Sequence, residues 1–221
     1  MKGTRLDLMA TPGDNLSRVL AASREHLNHA PRPCVGYLPS AALDPTFFLA
    51  ETRAWFAGLA SVELLDPVAM DRDSLLRALD RITLLYVPGG NTFVLAARLQ
   101  KAELMAEIAQ RVRDGLAYVG FSAGAVLCGL DILNSNDNNA PGCQDFAGLG
   151  LVPFSLNVHY PADDFRTERE EQIAAYHAFH STPVLALEDD THVRVKDSEV
   201  ALIEGRAWLF DGSGVRALSR E

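Results

Sequence analysis

The chain has only three cysteines in 221 residues, Cys34, Cys128 and Cys143, and no two of them are spaced C-x-x-C. An odd, widely separated set excludes a disulfide framework and a paired-thiol redox motif, and predicts reduced thiols in a cytoplasmic protein. Long apolar runs are also missing: no stretch approaches the ~18 residues a membrane helix needs. The opening "MKGTRLDLMATPGDN" lacks the apolar core and small-residue cleavage site of a secretory signal. Basic charge is in short supply, with 20 Lys+Arg against 29 Asp+Glu and a net charge of −9. A nucleic-acid or anionic-membrane footprint is not expected from that balance.

What remains is an ordinary globular composition, 48% hydrophobic, at a length that suits one sizeable core. Short β-rich runs at 5–10, 33–39, 61–66, 82–88 and 116–121 alternate with helical stretches near 14–28, 44–59, 71–80 and 92–113. Another helix opens at about Ala123. That rhythm predicts right-handed crossovers and a doubly wound, mostly parallel sheet flanked by helices. After residue 131 comes an Asn-, Asp- and Gly-rich loop, then a helix over 163–180. Short strands follow, with turns at Asp189-Asp190, Lys196-Asp197 and Glu204-Gly205. No linker or internal repeat divides the chain, so residues 1–221 are read as a single domain.

The run "YVGFSAGAVLCG" contains G-x-S-x-G, Gly120 to Gly124, between an apolar strand and a helix start. A strand that turns at once into a helix puts the tip residue under strain and exposes its side chain above the sheet. Small residues at such a junction also serve packing alone, but this strand–turn–helix context favours Ser122 as a nucleophile. The Ala123 N–H points toward the same space and suits an oxyanion. Cys128, on the following helix, reads as a buried packing residue. A second glycine turn, "VPGGNTF", follows the strand at 82–88, with Asn91 or Thr92 as helix cap and Gly90 as a second oxyanion donor.

Six histidines are available to act as base. His26/His29 and His177/His180 read as partly solvated helix faces, each lacking a third clustered ligand for a metal. His192 lies in a strand and is read as facing outward. His159 ends the apolar run "LNVHY" at a polar loop, where a general base belongs. "LALEDDTHV" offers Glu188, Asp189 and Asp190 as the carboxylate that orients the imidazole.

Taken together, "VPGGNTFVLAARL", "GFSAGA", "SNDNNAP", "LNVHY", "RTEREEQI" and "LALEDDTHV" resemble the aspartyl dipeptidase (peptidase E) and cyanophycinase family of serine peptidases, family S51. The matching segments run through residues 80–195 in the family's order. The resemblance implies a fold like that of class I glutamine amidotransferases and a Ser–His–acid triad of Ser122, His159 and Asp189, with Gly90 and Ala123 as the oxyanion hole. The family commonly has Glu where this chain has Asp189, which leaves Glu188 as the reserve acid. Arg169 would read a substrate carboxylate, with Arg166 nearby, and Asp137 would hold the substrate's α-ammonium. The expected activity is hydrolysis of short peptides, dipeptides with N-terminal aspartate first, without metal or other cofactor. A cyanophycinase-like hydrolase of β-aspartyl-arginine and a non-catalytic binding protein of the same fold are the alternatives. The expected partner is a small peptide substrate, with no nucleic acid and no membrane; a homodimer is left open.

Overall fold

The computed structural model describes residues 3–10, 16–28, 30–42, 44–161 and 165–220. In chain order, β1 (Arg5–Met9), α1 (Leu16–Leu27), β2 (Cys34–Tyr37), α2 (Leu49–Trp55), β3 (Ser61–Leu64), α3 (Arg72–Leu79) and β4 (Leu84–Val87) alternate as the sequence rhythm predicts. They are followed by α4 (Thr92–Lys101), α5 (Met105–Arg113), β5 (Ala117–Phe121) and α6 (Ala123–Val126). The chain closes with β6 (Ser155–Tyr160), α7 (Arg166–His177), β7 (Val184–Glu188), β8 (His192–Lys196), β9 (Glu199–Glu204), β10 (Ala207–Phe210) and β11 (Val215–Ala217). Among the described residues no helix is long and apolar enough to cross a membrane.

Seven strands form the main sheet in the order β3-β2-β4-β5-β1-β8-β9. The first five are parallel; β8 and β9 extend the sheet antiparallel. Strand alternation assigns the two faces. Leu84 and Tyr86 of β4, with Ala117 and Val119 of β5, join Val19, Ala22 and Leu27 of α1 and Phe56 beyond α2 in one cluster. Leu85, Val87 and Tyr118 turn the other way and pack with residues of α3 to α6. Each such leucine, removed from water, contributes about 1.5–3 kcal/mol.

The last strands depart from a single sheet. β6, β7, β10 and β11 form a separate four-stranded sheet, order β11-β10-β7-β6. Leu156, Val158, Leu185 and Leu187 face the main core, while Tyr160, Val184, Ala186 and Phe210 pack under Ile173 and Tyr176 of α7. This second sheet brings the end of β6 and the turn after β7 to the carboxyl end of β5.

Three helix expectations are corrected. The helix read over 92–113 is two, parted where Glu103 takes φ 55°. No Gly or Pro marks that break, and the Leu104 N–H reaches back to Leu99 O at 2.9 Å. The 44–59 helix is confined to α2, and the segment opened by Ala123 holds only four helical residues. Two helix starts carry side-chain caps: for α3, Asp71 accepts from the Ser74 N–H at 2.8 Å, and for α4, Asn91 accepts from the Val94 N–H at 3.0 Å.

Two histidines are also corrected. His192 faces inward, 5% exposed, and His26 is buried along its side chain rather than solvated; His29 lies outside the described residues. Both rings bond Asp7, a fully buried carboxylate in the middle of β1, at 2.7 Å, and Arg194 Nε joins them at 2.9 Å. Burial alone would push the Asp7 carboxyl up. The hydrogen bonds from His192 and His26 and the charge of Arg194 overcome it, and the carboxyl lies well below the usual range.

Candidate active site

Ser122 sits where β5 stops and α6 starts, with φ 50° and ψ −116°. That backbone conformation costs a non-glycine residue about 1–3 kcal/mol, so its surroundings must enforce it. The Ser122 N–H donates to Met9 O at 2.9 Å, and Ser122 O accepts from the Ala125 and Val126 N–H groups at 2.9 and 3.0 Å. Behind the serine, α6 presses so closely on β4 that a Cβ on Gly124 would lie 2.0 Å from Val87 O. Tyr118 Oη donates to Gly124 O at 2.7 Å and ties the same point from the strand side. Cys128 is fully buried, and burial pushes its thiol up to about 12, a packing residue as expected.

The Gly89-Gly90 turn lies against this elbow, since a Cβ on Gly89 would come within 3.1 Å of Ser122 Cβ. Gly90 has φ 135° and passes so near Ala41 that an added Cβ would meet its carbonyl oxygen at 2.5 Å. Among the described residues neither the Gly90 nor the Ala123 N–H has a protein acceptor. Thr92 anchors the turn: its N–H and hydroxyl both donate to Asp137 Oδ2 at 2.7 Å, and Ser135 Oγ donates to the same oxygen at 3.0 Å. Asn91 Nδ2 adds a bond to Asn138 O at 2.9 Å. One oxygen of Asp137 is therefore committed to the start of α4.

His159 lies near the end of β6 with φ 58°, where the pairing with β7 shifts register between Val158 and Tyr160. An extra residue at such a bulge re-aims its side chain. Here His159 Nε2 stands 3.0 Å from Ser122 Oγ, and Nδ1 stands 2.7 Å from Asp189 Oδ1. With Nδ1–H donating to the carboxylate, Nε2 accepts the serine proton. The two side chains remain open to solvent, 38% for His159 and 65% for Asp189. Glu188, one residue earlier, has other partners: it is buried and bonded to Arg166, Arg206 and Trp208.

Beside His159 a cavity of about 250 Å³ is lined by Pro161, Phe165, Glu168, Arg169 and Gln172. Arg169 Nη1 donates to Asn136 Oδ1 and to Gln172 Oε1, two neutral acceptors. No carboxylate lies within ion-pair distance of it among the described residues; burial lowers its pKa, against the opposing charge of nearby Glu168. The charge is thus available to an incoming anion. Arg166 points elsewhere, to Glu188.

Sequence reasoning missed Asn136. Its Nδ2 donates to Val158 O at 2.6 Å, and its Oδ1 accepts from Asn157 Nδ2 at 2.9 Å as well as from Arg169. The signal was the loop's run of Asn and Asp, residue types that bond backbone at turns.

The model of peptidase family S51 matches residues 11–203. A probable alpha-aspartyl dipeptidase of Drosophila melanogaster is 38% identical over 151 residues, covering 65% of this chain and 62% of that protein. A peptidase E of Streptomyces coelicolor is 31% identical over 201 residues, covering 85% and 82%. The chain thus spans less than two thirds of the Drosophila protein. Among solved structures, a peptidase from an acI-B1 Actinobacterium superposes with TM-score 0.74 at 15% identity, covering 98% of this chain and 94% of that one. A Listeria monocytogenes EGD-e structure gives 0.73 at 22%, covering 91% and 98%. Those two identities speak for the fold, a large, mostly parallel sheet flanked by helices. The match to the family model over most of the chain speaks for descent: this protein belongs to peptidase family S51.

Proposed function

We propose that this protein is a serine peptidase that hydrolyses short peptides, foremost dipeptides with an N-terminal aspartate. The observation that carries the reading is the continuous hydrogen-bonded line Ser122–His159–Asp189, at 3.0 and 2.7 Å, ending on a strained serine. Ser122 Oγ attacks the scissile carbonyl while His159 Nε2 takes its proton and Asp189 steadies the imidazolium. The oxyanion that forms is received by the Gly90 and Ala123 N–H groups. His159 then protonates the leaving amine, which departs and leaves an acyl-enzyme. Water, activated by the same histidine, releases the acid and restores Ser122.

Arg169 is the group that reads the substrate's carboxylate, because it is partly desolvated and bonded only to neutral oxygens. Asp137 keeps Oδ1 outside its bonds to Thr92 and Ser135, and to that oxygen we assign the substrate's α-ammonium. The relatives' names, alpha-aspartyl dipeptidase and peptidase E, agree with this choice. The small cavity at Arg169 favours a dipeptide over a long β-linked polymer. The test is release of free aspartate from Asp-Leu and related dipeptides by the wild type and by Ser122→Ala. The wild type cleaves Asp-Leu well ahead of Ala-Leu, and the variant releases no aspartate; cleavage by a clean Ser122→Ala preparation would sink the mechanism.

A further inference from the structure

Asp189 is weakly held by its own contacts. It is exposed, stands in a turn, and among the described residues its side chain bonds only His159. Glu188, immediately before it, is held far more firmly. Its Oε1 accepts from Arg166 Nη2 at 2.8 Å and from Trp208 Nε1 at 2.9 Å, and Oε2 accepts from Arg206 Nη2 at 2.7 Å. A carboxylate this buried is costly to leave unpaired, so the three donors fix where it sits.

Arg166 does more than neutralise that charge. Its guanidinium carbon lies 5.0 Å from the centre of the Tyr160 ring and 4.5 Å from that of Trp208, so aromatic faces flank it. Its Nε donates to Pro161 O at 3.4 Å. Tyr160 follows His159 in the chain and is paired with Glu188 across β6 and β7. Its hydroxyl donates at 2.7 Å to Glu170, on the same helix as Arg166. Arg169 stands three residues beyond Arg166, one helical turn away. A single guanidinium therefore touches the residue after the base and the residue before the acid, from the helix that carries the substrate-reading arginine.

We infer that Arg166 and Glu188 are positioning residues of the active site, an internal clamp that sets Asp189 against His159 and seats α7 beside them. The clamp acts through the backbone at 159–160 and 188–189 and makes no contact with the reacting atoms. This rests on the roles proposed for Ser122, His159 and Asp189. It differs from a stabilising ion pair in one respect: its effect on turnover must pass through the contact between His159 and Asp189.

The experiment is a kinetic double-mutant cycle on the full chain with Asp-Leu as substrate, comparing wild type, Glu188→Gln, Asp189→Asn and the double variant, with melting temperatures alongside. Glu188→Gln lowers kcat about 10-fold and changes KM less than about twofold, while in the Asp189→Asn background it lowers kcat no further. Arg166→Met shows the same kcat loss and also raises KM, because α7 loosens; Arg166→Lys restores part of both. If Glu188→Gln does not fold, Arg166→Met against Asp189→Asn reads the same coupling. Wild-type kcat in a folded Glu188→Gln, or an equal fold-loss in both backgrounds, overturns the clamp and leaves the triad standing. An inactive wild type, or full activity in Asp189→Asn, defeats the proposed function and the clamp with it.

Discussion

The serine and the histidine–aspartate pair meet across two sheets, and the fold holds the two sides by different means. On the main sheet, Ser122 is fixed by backbone: a carbonyl–amide bond to β1 and a helix pressed onto β4 at a glycine. On the smaller sheet, a bulge turns His159 outward, and Asp189 follows a buried carboxylate, Glu188, that side-chain ion pairs hold in place. Steric fixation is unforgiving and local. Side-chain fixation is graded, and it leaves exposed groups whose removal the fold scarcely notices.

Altering each side in turn separates the two modes, provided turnover and stability are read independently. Ser122→Ala is expected to cost about 10⁵- to 10⁶-fold in kcat while the melting temperature stays near that of the wild type, measured by peptide release and calorimetry. Asp189→Asn should cost about 10²- to 10⁴-fold in kcat. Its unfolding free energy should change by less than about 0.5 kcal/mol, because the carboxylate is 65% exposed. Gly124→Ala departs from that pattern by costing stability as well as turnover. Its Cβ would meet the Val87 carbonyl oxygen at 2.0 Å, where neither backbone can yield. A loss of about 3–5 kcal/mol in urea unfolding is expected, with activity gone as the elbow shifts.

Asp7→Asn tests the main sheet away from chemistry. Its folded-state pKa is depressed, so the charged form stabilises the protein above the ordinary carboxylate range and that contribution fades as pH falls below it. The variant should lose about 3 kcal/mol at pH 7, and the gap to wild type should narrow at pH 3. The smallest expected effect is Arg169→Met: a fall of about 10- to 100-fold in kcat/KM for Asp-Leu, with Ala-Leu cleavage unchanged. Equal losses on both peptides would remove Arg169 from specificity.

The two sides also differed in how legible they were in the sequence. The first five strands and the serine elbow could be read because alternation and glycine spacing are local signals, and their residues report on their own neighbours. The break between α4 and α5 could not, since Ala102, Glu103 and Leu104 all favour helix, and the left-handed turn at Glu103 that ends α4 is built without the usual glycine. The second sheet was likewise hidden, because which sheet a strand joins is decided by long-range pairing. His192 was misread for the same reason: in register with Met9, it turns toward the buried carboxylate of Asp7. An aspartate inside the apolar run of β1 was the available clue, since such a group demands partners. Asp189 and Glu188 are neighbours of similar chemistry, and only the partners each one finds tell them apart.

The unusual backbone angles of Ser122 have a consequence for anyone who breeds this protein for robustness. A serine with φ 50° and ψ −116° is a standing debt that a glycine would cancel, since glycine tolerates positive φ. The same exchange removes the hydroxyl. A screen that rewards melting temperature alone therefore leads toward glycine at position 122 and, on the proposed mechanism, away from turnover, so stability and turnover must be selected together.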